Sequence, residues 1–185
     1  MAKQYPALRP KHVDFIGRQK IFFTATAAPT GRVNVSPRAT DAFRVLGKAQ
    51  VCYLDRTGSG NETAAHLLAN GRMTIMFCAF EGGPLILRLY GQGRVDPLDS
   101  DGYRRLLDLH FDGMAPHGAR QIVSLDIDLV QTSCGFGVPL FDYAGERDGL
   151  DKWARGKTDA ELVAYRREKN RASIDGFPTG PLVDD

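Results

Sequence analysis

The sequence has no apolar run approaching the roughly 18 residues that a membrane span needs. Residues 1–6 contain no apolar segment of the kind found in secretory signals, so we expect a cytoplasmic protein. A large charge of one sign is also missing, because 24 basic and 22 acidic side chains leave a formal net charge of +2. This balance gives no reason to expect nucleic acid or a membrane surface as a partner.

Cysteine is scarce and has no pairing pattern. Cys52, Cys78 and Cys134 are an odd number without C-x-x-C spacing, which argues against a disulfide framework and against a zinc site. Cys52 and Cys78 lie in apolar, strand-like runs, where buried and inert thiols are expected. We therefore expect no metal centre.

The short motifs of several common enzyme classes are missing as well. The sequence contains no H-E-x-x-H, no Walker A lysine, no G-x-G-x-x-G and no serine in a nucleophile elbow. The histidines are scattered without ligand spacing, and His66, on a predicted helix, is interpreted as a satisfied surface or interface residue. Motifs therefore assign no catalytic side chain.

What is present is the composition of one soluble globular domain: 185 residues, 43% hydrophobic and 25% charged. Alternation and turn residues predict strands at residues 21–27, 33–38, 44–46, 50–55, 73–80, 85–95 and 119–132, and helical spacing predicts helices at residues 10–19, 64–70, 97–109, 147–155 and 158–170. Residues 73–80, almost all apolar, are expected to be buried on both faces. Gly91 and Gly93 within a strand indicate a bend or a close backbone approach, so we expect the sheet to curl into a barrel.

Residues 55–63 connect an apolar strand to a short helix. Their glycines, hydroxyls and amide place free backbone N–H groups at the positive end of a helix dipole, which is a place to hold an anion. The same residues fit the capping-box spacing S-x-x-E, with Ser59 as the cap and Glu62 reaching back. The pattern therefore leaves two interpretations open, an anion site and a well-capped helix without a ligand.

A polar strand face is the second candidate feature. Asn34 and Ser36 alternate with Val33 and Val35, and Arg38 follows them. In a curled barrel, adjacent strands could bring this face to the loop at residues 55–63. Arg38 would then supply the full charge that a helix dipole lacks.

The order of these segments resembles the pyridoxamine 5'-phosphate oxidase-like family of split β-barrel flavoproteins. The resemblance covers roughly residues 10–140, and it includes residues 22–27, 31–38, 51–55, 57–63, 73–80 and 88–91. It implies a mainly β, α+β fold: a split β-barrel of antiparallel strands with short peripheral helices and a helical C-terminal extension. Residues 1–140 would form the FMN-binding split-barrel domain, and residues 141–185 a helical extension of the same domain.

The family also implies a homodimer with FMN at the subunit interface, where a small-molecule substrate would meet it. Carried over position by position, the resemblance implies that three groups of residues bind the cofactor. These are Asn34, Ser36 and Arg38 on the strand; Leu54 and Asp55 beside the isoalloxazine; and Thr57, Ser59, Gly60, Asn61 and Thr63 around the phosphate.

The sequence departs from the family at two points. In the oxidases of this family that act on pyridoxamine phosphate, the short helix is expected to start with an Arg-Lys pair, whereas this chain has Glu62-Thr63. The C-terminal end of those oxidases bears an arginine that has no match in residues 177–185. The resemblance thus implies an FMN-dependent oxidoreductase other than a vitamin B6 oxidase.

Two alternatives stay open. One is an F420-dependent reductase, whose negatively charged tail would need Arg38, Arg88 or residues 166–171. The other is a non-catalytic dimeric protein that binds flavin or haem. The mixed-charge residues 166–171 themselves are interpreted as a solvated helix end or as a cap on a ligand of a partner subunit.

Overall fold

The computed structural model describes residues 2–180, and the last five residues of the predicted C-terminal extension lie outside that range. The described chain forms one sheet of antiparallel strands. They are β1 (Lys3–Tyr5), β2 (Ile21–Ala27), β3 (Val33–Ala39), β4 (Phe43–Gly47), β5 (Gln50–Arg56), β6 (Arg72–Cys78), β7 (Ile86–Pro97) and β8 (Ala119–Ser133). The helices are α1 (Pro10–Arg18), α2 (Glu62–Asn70), α3 (Asp101–His110), α4 (Gly149–Arg155) and α5 (Asp159–Lys169).

The strand order is β3-β2-β6-β7-β8-β5-β4, and β1 pairs with β8 beside this path. Among the described strands, the two end strands β3 and β4 are not hydrogen-bonded to each other, so the sheet is not closed. The α+β, split-barrel fold class is therefore confirmed, and each predicted helix and strand has a counterpart within a few residues. The three-residue strand β1 is too short to show a pattern in the sequence.

Burial on both faces is found in β5 and in residues 119–125 of β8, whereas the prediction had placed this property on β6. In β6 buried and half-buried side chains alternate, so only one of its faces is fully covered. In β5, Val51 and Tyr53 enter the main core, while Cys52 and Leu54 pack into a second core beneath α3. Two-sided burial fixes the strand in place and so fixes Asp55, its sixth residue.

Gly91 marks the expected close approach of two strands. The pairing of β7 with β8 shifts register between Tyr90 and Gly91, and a Cβ added to Gly91 would overlap the carbonyl oxygen of Asp126. Only glycine fits this bulge, which re-aims the long β7 strand.

The C-terminal extension returns to the start of α2. Its helix α5 begins with a capping box in which Thr158 and Glu161 bond reciprocally, and the Trp153 ring of α4 meets the Tyr165 ring of α5 at 5.1 Å. Residue Asn170, which ends α5, donates to the carbonyl of Gly58 at 3.0 Å. None of the helices in residues 2–180 is both long and apolar enough to span a membrane.

Candidate functional site

The loop before α2 is shaped by tertiary contacts rather than by its own capping box. The N-cap of α2 is Asn61, and its side-chain oxygen accepts from Nε2 of Gln121 at 2.9 Å instead of capping the helix. Glu62 accepts from the backbone N–H of Ile174 at 3.0 Å. The predicted box of Ser59 and Glu62 is therefore wrong, and no side chain of the described residues caps the start of α2.

A group of polar side chains, here called the hydroxyl cluster, lies between β2, β3 and α2. Nδ2 of Asn34 is 3.4 Å from the hydroxyls of both Thr26 and Thr63, and the Ser36 hydroxyl donates to Oδ1 of Asn34 at 3.1 Å. The Thr26 hydroxyl is 3.1 Å from Nδ1 of His66. The structure thus brings the predicted strand residues Asn34 and Ser36 to Thr63 at the start of α2.

Asp55 is the centre of a second group, here called the Asp55 cluster. Its carboxylate is fully buried and pairs with Arg38. It also accepts from Nε of Arg120 at 2.9 Å and from Nε2 of Gln121 at 2.7 Å. The same Gln121 amide bonds Asn61, so the cluster reaches the N-cap of α2.

The Asp55 cluster keeps a positive charge in the interior. Burial by itself would raise the pKa of the Asp55 carboxyl, but the charges of Arg120 and Arg38 outweigh burial and lower the pKa below its ordinary value of 3.8. One carboxylate against two guanidinium groups leaves a net charge of +1. This surplus favours an anion near the loop.

Tyr53 lies next to this cluster with an unsatisfied hydroxyl. The ring is fully buried and stacks beneath the guanidinium of Arg38, whose carbon lies 4.7 Å from the ring centroid. Burial raises the pKa of Tyr53 to about 12, against the opposing effect of Arg38, so the phenol remains neutral. The Tyr53 hydroxyl and Nε of Arg38 are buried polar atoms without a hydrogen-bond partner among the described residues. Buried polar atoms of this kind need a water or a bound group to satisfy them.

The loop itself is held at its first residues. The Thr57 N–H donates to the carbonyl of Gly118 at 2.8 Å, and the Thr57 hydroxyl accepts from Nε of Arg166 at 2.8 Å. Ser59 is exposed, and a Cβ added to Gly60 would meet nothing closer than 3.8 Å. The loop is therefore anchored at Thr57 and at Asn61 and open around Gly60.

The predicted site residues fall into three places. Asn34, Ser36 and Thr63 are in the hydroxyl cluster; Arg38, Asp55 and Asn61 are in the Asp55 cluster; Thr57, Ser59 and Gly60 are in the loop. The Leu54 side chain lies in the second core beneath α3. Only the backbone of Leu54 is therefore left to contact a ligand. Sequence reasoning missed Thr26, His66, Arg120 and Gln121 in the two clusters, Tyr53 beside the Asp55 cluster, and Asn170, which bonds Arg120 and the loop. His66, interpreted from the sequence as a satisfied surface or interface residue, is 1% exposed.

A cavity of about 850 Å³ adjoins Arg38. It lies between the end of α1, the end of β3, the turn after β6 and residues 141–147. Its walls include the rings of Phe80 and Phe141, which contact each other at 5.4 Å, and the Tyr143 ring, 5.3 Å from the ammonium of Lys20. Its size and aromatic walls are typical of a small-molecule site.

Solved structures share this architecture at low sequence identity. HupZ of Group A Streptococcus has a TM-score of 0.53 and 18% identity, covering 66% of this chain and 91% of HupZ. A Nostoc punctiforme protein described as pyridoxamine 5'-phosphate oxidase-related and FMN-binding has a TM-score of 0.50 and 15% identity, covering 71% of this chain and 87% of that protein. These likenesses concern the fold.

Sequence comparisons identify the family. ustO of Aspergillus flavus, described as a pyridoxamine 5'-phosphate oxidase family protein, is 39% identical over 194 residues, which cover 94% of this chain and 76% of ustO. The family model described as pyridoxamine 5'-phosphate oxidase matches residues 8–134, which include the loop, the hydroxyl cluster and the Asp55 cluster. The chain belongs to the pyridoxamine 5'-phosphate oxidase family.

Proposed function

We propose that this protein is an FMN-dependent oxidoreductase. The observation that carries the proposal is the start of α2, which has no side-chain cap and lies between two groups of polar side chains. An uncapped helix start attracts an anion such as a phosphate. The Nostoc punctiforme protein of the same fold, described as FMN-binding, supports FMN as the group that brings the phosphate.

The residues present fit the phosphate end of a flavin nucleotide. Donors come from the hydroxyl cluster, from Thr57 and Ser59 and from the first N–H groups of α2, while the Asp55 cluster adds positive charge. The open space at Gly60 leaves room for a group close to the backbone. One feature opposes a phosphate: Oε1 of Glu62 lies 3.8 Å from the Cβ position of Gly60, and its bond from the N–H of Ile174 orients the carboxylate without removing its charge.

When bound, the flavin would supply hydride transfer, so the chain needs no acid or base of its own. The task of the protein is then to bind, orient and shield the ring system. Arg38 pairs with Asp55 and also lines the aromatic cavity, and this connection suits a cofactor with a polar tail and a planar head. The absence of the Arg-Lys pair at Glu62-Thr63 argues for a substrate other than pyridoxamine phosphate.

The proposal includes a homodimer with the cofactor at the subunit interface. Its support is β3, the end strand of the sheet, where Val33 and Val35 are 70% and 60% exposed on the face opposite Asn34 and Ser36. Exposed β-branched side chains on an edge strand favour association. Sedimentation velocity tests this: a particle with the mass of one chain at micromolar concentration would exclude the dimer.

The first experiment is the visible absorption spectrum of freshly purified protein, followed by denaturation and mass identification of the released molecule. FMN is expected, and a hydride donor should bleach the bound flavin. Release of F420 would leave the fold assignment unchanged and would identify F420, instead of FMN, as the cofactor. A colourless protein that binds neither added FMN nor F420 would refute the proposal, and a bound flavin that no donor or acceptor turns over would refute the enzyme activity.

Gly60→Ala separates a ligand site from a structural loop. A methyl group at Gly60 meets only ordinary contacts, so the unfolding free energy should stay unchanged or rise by up to about 1 kcal/mol. FMN affinity should fall roughly tenfold, because the methyl group occupies space next to the phosphate. Flavin fluorescence titration and thermal melting measure the two effects. Gly149→Ala, at a glycine whose added Cβ would meet nothing within 4 Å, is the control; equal FMN affinity in both variants would remove Gly60 from the site.

A further inference from the structure

We propose that Asn170, in the C-terminal extension, is a positioning residue that holds the loop before α2 in the shape that binds the flavin phosphate, a role that rests on the proposed function. The Asn170 side chain is fully buried at the end of a largely exposed helix. Its Nδ2 donates to the carbonyl of Gly58 at 3.0 Å, and its Oδ1 accepts from Nη1 of Arg120 at 2.8 Å. One amide thus connects the loop to the Asp55 cluster.

The bond to the Gly58 carbonyl fixes the direction of a backbone N–H. No peptide bond among the described residues is cis, so the carbonyl of Gly58 and the N–H of Ser59 point to opposite sides of one rigid plane. Because Asn170 holds the carbonyl, the Ser59 N–H is directed away from Asn170. None of the N–H groups of residues 58–61 donates to an acceptor within residues 2–180. Successive N–H groups of this kind are the backbone donors that a loop offers to an anion.

The bond to Arg120 fixes a buried positive charge beside the loop. Arg120 donates through Nε to the Asp55 carboxylate at 2.9 Å and through Nη1 to Asn170, so its guanidinium is held from two sides. The amide oxygen of Asn170 is neutral, and the Asp55 cluster therefore keeps its net charge of +1. A carboxylate at position 170 would also satisfy Arg120 but would cancel this surplus. An amide at this position therefore suits an anion site.

The residues that follow α5 hold Asn170 and the far end of the loop. The Thr179 hydroxyl donates to the Asn170 carbonyl at 2.7 Å. The Ile174 N–H donates to Glu62, the first residue of α2, at 3.0 Å. These contacts come from residues beyond the range 8–134 that the family model matches. The loop of the split barrel is therefore supported by the C-terminal extension.

The environment of Asn170 changes the interpretation of the mixed-charge residues 166–171. They had been interpreted as a solvated helix end or as a cap on a ligand of a partner subunit. A fully buried side chain is not solvated, and both partners of the Asn170 amide belong to its own chain. At Asn170 this segment therefore supports the loop within one subunit, through an uncharged side chain.

The test compares FMN with riboflavin, which has the same ring system and ribityl chain but no phosphate. Dissociation constants are measured by fluorescence titration of flavin-free full-length protein, and thermal melting identifies the folded variants. Asn170→Ala removes both side-chain bonds. Asn170→Asp keeps an acceptor for Arg120 but removes the donor to Gly58 and adds a negative charge. Thr179→Val leaves Asn170 in place, removes one bond to its backbone and is the mildest variant.

Asn70→Ala is the matched control. Asn70 is the last residue of α2, as Asn170 follows the last residue of α5. Its Nδ2 donates to the carbonyl of Ala27 at 2.9 Å, and its Oδ1 accepts from the N–H of Arg72 at 2.9 Å. The control thus loses the same two kinds of amide bond at the end of α2 that is opposite to the loop, and it should bind both flavins like wild type.

We expect FMN affinity to fall about tenfold in Asn170→Ala, about 100-fold in Asn170→Asp and about threefold in Thr179→Val, with riboflavin affinity within about twofold of wild type in each. Unchanged FMN affinity, or an equal loss for FMN and riboflavin, in the folded variants would overturn the role of Asn170 while the wild-type protein still binds FMN. If neither Asn170 variant folds, Thr179→Val decides by the same criterion. A wild-type protein that binds neither flavin would refute the proposed function, and this role with it.

Discussion

Asp55→Asn is expected to lower the unfolding free energy by about 3–5 kcal/mol, the range found when one partner of a buried ion pair is removed. The variant keeps the shape of the side chain but leaves the buried Arg120 and the half-buried Arg38 without a counter-charge. Burying an uncompensated charge costs far more than losing a surface contact. Urea unfolding followed by the fluorescence of Trp153, the single tryptophan, measures the loss.

The matched control is Asp126→Asn, the same change in an exposed pair with Arg94 at 3.0 Å. Exposed pairs contribute about 0–1 kcal/mol, so this variant should unfold almost like wild type. If Asp55→Asn lost no more than Asp126→Asn, the Asp55 cluster would have no structural role.

Acid should reproduce the effect of the substitution. The pKa of Asp55 is lower in the folded protein than the ordinary 3.8 of an unfolded chain, so the unfolded state binds the proton first as the pH falls. The contribution of Asp55 is therefore complete above pH 3.8 and is lost as the pH falls through the folded-state pKa. The stability difference between wild type and Asp55→Asn should accordingly be constant at neutral pH and shrink below about pH 4.

The elements of the fold could be predicted because their signals are local. Alternation along β3 and β8, the turn between β2 and β3 and the helical spacing of α3 depend on neighbouring residues only. Reliance on local spacing also produced the wrong prediction of a capping box between Ser59 and Glu62. Their spacing fits a capping box, but Gln121 and Ile174, distant in sequence, form the decisive bonds.

The centre of the candidate site was beyond sequence reasoning for a similar reason. Asp55 meets Gln121 because β5 and β8 pair in one particular register, with Asp55 opposite Gln121. Arg120 precedes the clear alternation of β8 and shows no pattern of its own. The position of Arg166 and Asn170 depends on how α5 packs against the barrel, which helical periodicity leaves undetermined. The residues with a local signal were Asn34, Ser36, Arg38 and those of the loop.

Arg38→Ala is expected to weaken FMN binding by about 1.5–3 kcal/mol while costing less in unfolding free energy. The two arginines of the Asp55 cluster make this separation possible. Without Arg38, the carboxylate keeps Arg120 and Gln121, and the cluster becomes a neutral pair instead of carrying a surplus of +1. Asp55 therefore remains compensated, whereas the charge available to an anion is lost.

The position of Arg38 is a second reason to expect weaker FMN binding in Arg38→Ala. The guanidinium stacks on Tyr53 and lines the aromatic cavity, and its Nε has no partner among the described residues. A cofactor that joins the cluster to the cavity would use that donor. Titration with FMN and urea unfolding should be run in parallel, with Arg94→Ala as the control from an exposed pair. If Arg38→Ala binds FMN like wild type, Arg38 is only a counter-ion of Asp55, and the cofactor charge must be met by other groups of the site, such as Arg120.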